Sequence, residues 1–121
     1  MTRRRFDKHG TEFGNWLRQQ PEIDSSLGFI ATNIDYMWTN YHTGFWMLIE
    51  EKRHDTQPRF WQQRMFKKLD LAARNDPNYR GFHLLVFEHT NPDDGAIWLD
   101  GEEIDKAQLL MFLQSGFATA A

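Results

Sequence analysis

Two carboxylates and one amine in the first half of the sequence have types and spacing that could support catalysis. Glu50 and Lys52 stand one residue apart just after the apolar run 45–49, and Asp35 precedes them. Carboxylate oxygens are the ligands that Mg²⁺ and Mn²⁺ prefer, and a lysine beside them could orient or help deprotonate an attacking water. These residue types predict metal-assisted hydrolysis of a phosphodiester bond.

The three residues can meet only if the chain from 35 to 52 folds as a β-hairpin. Residues 45–49 are bulky and apolar without a break, which is typical of a strand buried on both faces. A second β-prone run covers residues 35–39. The loop 40–44 between them ends in glycine and has a length that hairpins use.

Alternation along the second strand decides which of two adjacent glutamates belongs to the group. Successive side chains on a strand point to opposite faces, so Glu50 and Lys52 share one face and Glu51 lies on the other. The loop length places Asp35 near the level of Glu50. The pattern therefore predicts that Asp35 and Glu50 are the metal ligands.

This arrangement resembles the PD-(D/E)XK nuclease superfamily, in which Asp is followed, after an interval, by Glu-X-Lys at the end of a hydrophobic strand. Asp35, Glu50 and Lys52 match that motif, with Glu51 as X. The resemblance covers about residues 11–99. It implies a metal-dependent DNA endonuclease in which the two carboxylates hold Mg²⁺ or Mn²⁺ and the lysine assists the water.

The resemblance also extends to polar residues outside the hairpin. Nucleases of this superfamily often carry a glutamine early in the helix after the Glu-X-Lys strand, and Gln62 or Gln63 stands there. Helical phase favours Gln62, on the side toward the sheet. Some of these families place an extra acidic ligand in the first helix, where this chain has Glu12. One departure is that the proline that the family carries before the first acidic residue is absent, and Asn33 and Ile34 stand there instead.

The element order predicts a single small α/β domain over residues 1–121, with a mixed central sheet flanked by helices (α-β-β-β-α-β-β-α). The resemblance implies a restriction-endonuclease-like core. The predicted elements are helices at about 11–20, 58–74 and 102–114, and strands at 27–32, 35–39, 45–52, 82–87 and 96–99.

Charge is distributed unevenly along the chain. The formal net charge is −3, yet residues 53–80 carry seven basic and three acidic residues. Four residues of the helix predicted at 58–74 share a largely basic face, expected to contact nucleic-acid phosphates: Arg59, Gln63, Lys67 and Arg74. A separate apolar stripe is expected to pack against the sheet: Trp61, Met65, Leu69 and Ala72. Solvated helix faces would show the same charges.

Composition and motifs exclude several other classes. The chain has no cysteine, which excludes disulfides and thiolate metal sites. The basic N-terminus lacks a following apolar stretch, so we expect no secretory signal, no membrane partner and a cytoplasmic location. No phosphate-binding loop, nucleophile elbow or HExxH motif occurs, and His83 and His89 are expected to be structural.

A competing hypothesis is a non-catalytic protein with a nuclease-like fold that binds nucleic acid or a protein partner. The five Trp and ten Phe residues would then contribute to an interface. A nuclease this small would often act as a homodimer to cleave both strands of a duplex. Its small size would suit a protein of a phage or mobile element. Metal dependence separates an enzyme from a binding module.

Overall fold

The computed structural model describes residues 12–29, 32–56 and 59–115, which fall into two compact units. The first unit ends at Thr32 and the second begins at Asn33. Two kinds of element occur in the first: α1 (Glu12–Arg18) and short 3₁₀ turns at Pro21–Ile23 and Ser25–Leu27. Whether the whole chain acts as a single domain stays a prediction.

The second unit is a small α/β fold around a five-stranded mixed, open sheet. Its elements, in chain order, are β1 (Tyr36–Thr39), β2 (Trp46–Arg53), α2 (Phe60–Ala73), β3 (Tyr79–Phe87), β4 (Ile97–Leu99), β5 (Glu102–Ile104) and α3 (Lys106–Ser115). The strands lie side by side in chain order, and only β2 and β3 are parallel. Helix α2 supplies the crossover that a parallel pair requires. The predicted α/β class with a mixed sheet is confirmed.

Strand β2 is buried on both faces, as its apolar run predicts. Met47 is completely buried in a core cluster that includes Leu109 of α3. Leu48 points to the opposite face, where it pairs in register with Phe82 of β3. The Phe82 ring packs against Phe66 of α2, with 4.8 Å between ring centroids. The sheet therefore separates α3 from α2.

The prediction of a strand at 27–32 is wrong for those of its residues that the structure describes. Leu27 ends a 3₁₀ turn, and Gly28 has a left-handed backbone with φ 97°. The side chain of Asp24 accepts a hydrogen bond from the backbone N–H of Ser26 at 3.1 Å. Local side-chain bonds of this kind favour a turn over an extended ladder. Residues 30 and 31 lie outside the described residues.

Strand β5 occupies residues that were predicted to begin the last helix. Asp100 and Gly101 both have positive φ, 51° and 89°, which is the backbone of the two-residue hairpin turn that Asp-Gly favours. The chain reverses there and Glu102–Ile104 pair with β4. Helix α3 begins only after Asp105. The side chain of Asp105 accepts a hydrogen bond from the backbone N–H of Gln108, and the side chain of Gln108 accepts one from the backbone N–H of Asp105.

The apolar stripe predicted for α2 does not pack against the sheet. All four of its residues are exposed: Trp61, Met65, Leu69 and Ala72. The helix instead buries Phe66, and the carboxylate of Asp70 accepts a hydrogen bond from the Tyr79 hydroxyl at 2.6 Å. Polar contacts to the sheet thus fix the rotation of α2 about its axis.

None of the helices in the described ranges combines the length and the apolarity needed to cross a lipid bilayer.

His83 ties β3 to the Asp100 turn. Its Nδ1 lies 2.7 Å from Asp100 Oδ2 and its Nε2 lies 3.0 Å from the carbonyl oxygen of Arg80. Burial of the ring opposes its protonation, but the hydrogen bonds to Asp100 and Arg80 outweigh burial and raise the pKa of His83. The folded protein therefore favours the protonated ring.

This raised pKa predicts that the free energy of unfolding falls as the pH rises above the ordinary histidine pKa of about 6.5. The stabilisation is fully present below the ordinary histidine pKa of about 6.5 and is lost as the pH rises through the raised pKa of His83. Urea denaturation at a series of pH values measures this decline in the free energy of unfolding. We expect His83→Gln to flatten the decline and His42→Gln, at an exposed loop residue, to leave it unchanged. The same decline in wild type and His83→Gln would contradict this account.

Candidate functional site

The start of β1 and the end of β2 bring the two predicted carboxylates together. Tyr36 pairs with Ile49, so Asp35 lies beside Glu50. The backbone N–H of Asp35 donates to Glu50 Oε1 at 3.2 Å, and Asp35 Oδ2 accepts from the backbone N–H of Glu51 at 2.9 Å. These two bonds hold both carboxylates at one place on the sheet.

Lys52 and Gln62 converge on the same glutamate from two elements. Lys52 Nζ lies 3.5 Å from Glu50 Oε2, and Gln62 Nε2 of α2 donates to that oxygen at 3.4 Å. The side chain of Glu50 is only 3% exposed and that of Lys52 22%. Of the two candidate glutamines, Gln62 reaches this group, whereas Gln63 is exposed.

Glu51 belongs to the other face of β2, as alternation predicts. Its Oε1 accepts a hydrogen bond from the hydroxyl of Tyr36 at 3.1 Å, and the charge of Glu51 raises the pKa of that hydroxyl. Tyr36 was not singled out in the sequence. The same alternation, applied to both strands of the hairpin, places it on the face of Glu51.

The surroundings of the Glu50 carboxyl group disfavour its ionised form. Burial raises its pKa, and the neighbouring charge of Asp35 raises it further, while Lys52 acts in the opposite direction. Perturbed carboxyl groups that have a specific charged neighbour are concentrated at functional sites. A cation between Asp35 and Glu50 would relieve both causes of the shift.

The donor set suits a cation of the Mg²⁺ type. In the part of the chain that the structure describes, no group of three His, Cys, Asp or Glu side chains could hold a metal ion. The protein here offers the two carboxylates of Asp35 and Glu50. Mg²⁺ is usually held by one or two carboxylates, and waters and substrate phosphates complete its coordination. These residue types are ones that Mg²⁺ or Mn²⁺ prefers, and binding of either ion here stays a prediction.

The remaining predicted residues are one carboxylate of the first unit and four residues on or next to α2. Glu12 is the exposed first residue of α1, in the first unit, and its role as a ligand stays a prediction. The predicted phosphate-contacting residues are all exposed: Arg59, Gln63, Lys67 and Arg74. Arg74 is held in an ion pair by Asp70 at 2.8 Å.

Comparison with known proteins leaves the function to be inferred from this geometry. The chain matches none of the protein-family models, curated proteins or solved structures with which it was compared.

Replacing Glu50 by glutamine is expected to stabilise the metal-free protein at neutral pH. Because the folded-state pKa of Glu50 is raised, its ionised form costs stability above that pKa, whereas the group is neutral in both states below about pH 4. Glutamine keeps the shape: its amide oxygen can accept the bond from Asp35, and its NH2 group can donate to the oxygen of Gln62 once the Gln62 amide has turned over. We expect Glu50→Gln to raise the free energy of unfolding by roughly 0.5–2 kcal/mol at neutral pH.

Urea denaturation in EDTA at neutral pH and in acid measures this gain, which should vanish in acid. Glu51→Gln is the matched control, because its carboxylate lies on the other face. A loss of stability in Glu50→Gln at neutral pH would show that the ionised carboxylate stabilises the fold and would contradict the account.

Proposed function

We propose that this protein is a metal-dependent nuclease that hydrolyses phosphodiester bonds, with DNA as its substrate. The observation that carries the proposal is the convergence of Asp35, Lys52 and Gln62 on the buried carboxylate of Glu50, through contacts of 3.2, 3.5 and 3.4 Å. Two carboxylates could hold a divalent cation, and an ammonium group beside them could orient the attacking water, which together would serve the hydrolysis of a phosphodiester.

The order of elements around the group supports the same proposal. β1 and β2 form an antiparallel pair, α2 crosses over one face, and β3 adds parallel to β2. Glu50 and Lys52 stand in the second half of β2, and Gln62 stands in the first turn of α2. In the proposal, this part of the chain corresponds to the restriction-endonuclease-like core of the PD-(D/E)XK superfamily.

Each residue of the group has a separate role in the proposal. Mg²⁺ or Mn²⁺ bound by Asp35 and Glu50 would neutralise nonbridging phosphate oxygens as negative charge develops in the transition state. Lys52 would orient the attacking water with its half-buried ammonium group. Gln62 donates to Glu50 and so holds that carboxylate in place.

Exposed cations on α2 would position the substrate without selecting its sequence. Arg59 and Lys67 take part in no ion pair among the residues described, so both are available to phosphates. Arg74 contributes less because Asp70 already neutralises it. A homodimer, which would present two such groups to the two strands of a duplex, is part of the proposal.

Metal-dependent cleavage is the experiment that tests this function. Supercoiled, linear and single-stranded DNA, and RNA, are each incubated with the protein in Mg²⁺, in Mn²⁺ and in EDTA. We expect cleavage of DNA that requires the metal and that falls by about 10² or more in Lys52→Ala and in Glu50→Gln. Lys106→Ala, at an exposed lysine of α3, and Glu51→Gln are the matched controls and should keep the wild-type rate.

A folded wild-type protein that cleaves none of these substrates and binds no divalent metal would contradict the proposal. So would cleavage by Lys52→Ala at the wild-type rate.

A non-catalytic binding module is the second candidate, and the exposed apolar residues along α2 favour it. Such a module would bind its partner equally well as wild type, Glu50→Gln and Lys52→Ala, and it would show no turnover in any metal. The same set of variants therefore separates the two functions.

A further inference from the structure

The first turn of α2 carries an exposed aromatic pair beside the candidate metal centre. Phe60 is 63% exposed and Trp61 is 56% exposed. The two rings meet edge to face, with 5.2 Å between their centroids. The next residue, Gln62, bonds to Glu50, so the aromatic pair lies directly alongside the residue that reaches the carboxylates.

Arg64 joins this pair and makes the surface cationic. Its guanidinium carbon lies 5.6 Å from the ring centre of Phe60 and 5.4 Å from that of Trp61. Further exposed cations lie on or next to the same helix: Arg59, Lys67 and Lys68. The acidic residue of α2, Asp70, lies in its second half and is bonded to Tyr79 and Arg74. The first half of α2 therefore combines flat apolar rings with Arg64, which takes part in no ion pair among the residues described.

We infer that unpaired bases of the substrate stack on Trp61 and Phe60, while Arg64 and its neighbouring cations contact the phosphates between them. This inference rests on the proposed function and narrows its substrate class to DNA that is single-stranded, or has unpaired nucleotides, next to the scissile bond. In a duplex the base faces are already stacked on one another, whereas an unpaired base offers its face to an aromatic side chain. Every base has such a face, so the contact selects strandedness and not sequence.

A protein partner fits this surface less well. The cores of protein interfaces are enriched in aromatic residues and arginine but depleted in lysine, and Lys67 and Lys68 lie on this helix within two turns of Trp61. A polyanion with planar bases satisfies the rings and the cations together.

Binding to a short single strand tests the inference without any cleavage. Fluorescence anisotropy of a labelled oligothymidylate of roughly 20 nucleotides, in EDTA, gives the dissociation constant. We expect Trp61→Ala to weaken binding by about fivefold or more, and Trp61→Phe, which keeps a ring, to retain most of the affinity. Leu71→Ala is the matched control, since Leu71 is equally exposed, 56%, but lies in the last turn of α2.

An abasic strand of the same length separates stacking from charge. The loss caused by Trp61→Ala should disappear on the abasic strand, because there is no base to stack. Arg64→Ala should weaken binding to both strands and lower the slope of log affinity against log salt by about 0.7, the value for one phosphate contact on a single strand.

Wild-type affinity for oligothymidylate in Trp61→Ala, with folding checked by circular dichroism, would overturn the inference. An equal loss of affinity of Trp61→Ala for the abasic strand would overturn it too. So would a change of Trp61→Ala from dimer to monomer at unchanged affinity, which would identify a protein interface. The two proposals fail separately. Cleavage that does not depend on Trp61 would contradict only the stacking surface. Trp61-dependent binding without metal-dependent cleavage would contradict only the nuclease.

Discussion

The burial of one carboxylate, that of Glu50, is the constraint on which the rest of this structure depends. A buried charge is costly unless hydrogen bonds and an opposite charge compensate it. Strand β2 carries Glu50 into the sheet directly after its apolar run. Three groups then compensate the charge of its carboxylate: the backbone N–H of Asp35, the amine of Lys52 and the amide of Gln62. Even so, the pKa of Glu50 stays raised. The compensation is incomplete, and a divalent cation would complete it.

The same constraint determines how α2 lies on the sheet. Gln62 bonds to Glu50 near the beginning of the helix, and Asp70 bonds to Tyr79 two turns later. These polar contacts turn Phe66 inward and leave Trp61 outside, although Trp61 is the more obvious residue to bury. One helix thereby supports the carboxylate group through Gln62 and presents an aromatic, cationic surface to solvent at the neighbouring positions of its first turn.

Local sequence pattern predicted the hairpin and the group but not the orientation of α2. Alternation along β2 separated Glu50 from Glu51 correctly, because period-two geometry leaves no freedom once the strand is buried. Helical phase alone misplaced Trp61, since the stripe with the highest apolarity lost to two polar contacts that form only in the folded chain. The Asp100 turn could have been predicted, because Asp-Gly is a strong signal for a two-residue hairpin. The contact of Asp70 with Tyr79 could not have been predicted, because it forms only in the folded chain, whereas helical phase and the family resemblance already favoured Gln62 toward the sheet.

Metal location is the most direct test of the central claim that Asp35 and Glu50 form a divalent-cation site. Crystals of the protein soaked in Mn²⁺ would be measured near the manganese absorption edge and searched for anomalous difference density. This account predicts one strong peak within about 2.0–2.4 Å of a carboxylate oxygen of Asp35 and of Glu50, absent in crystals of Glu50→Gln. A well-ordered Mn²⁺ bound elsewhere, with no density between these two carboxylates, would contradict it.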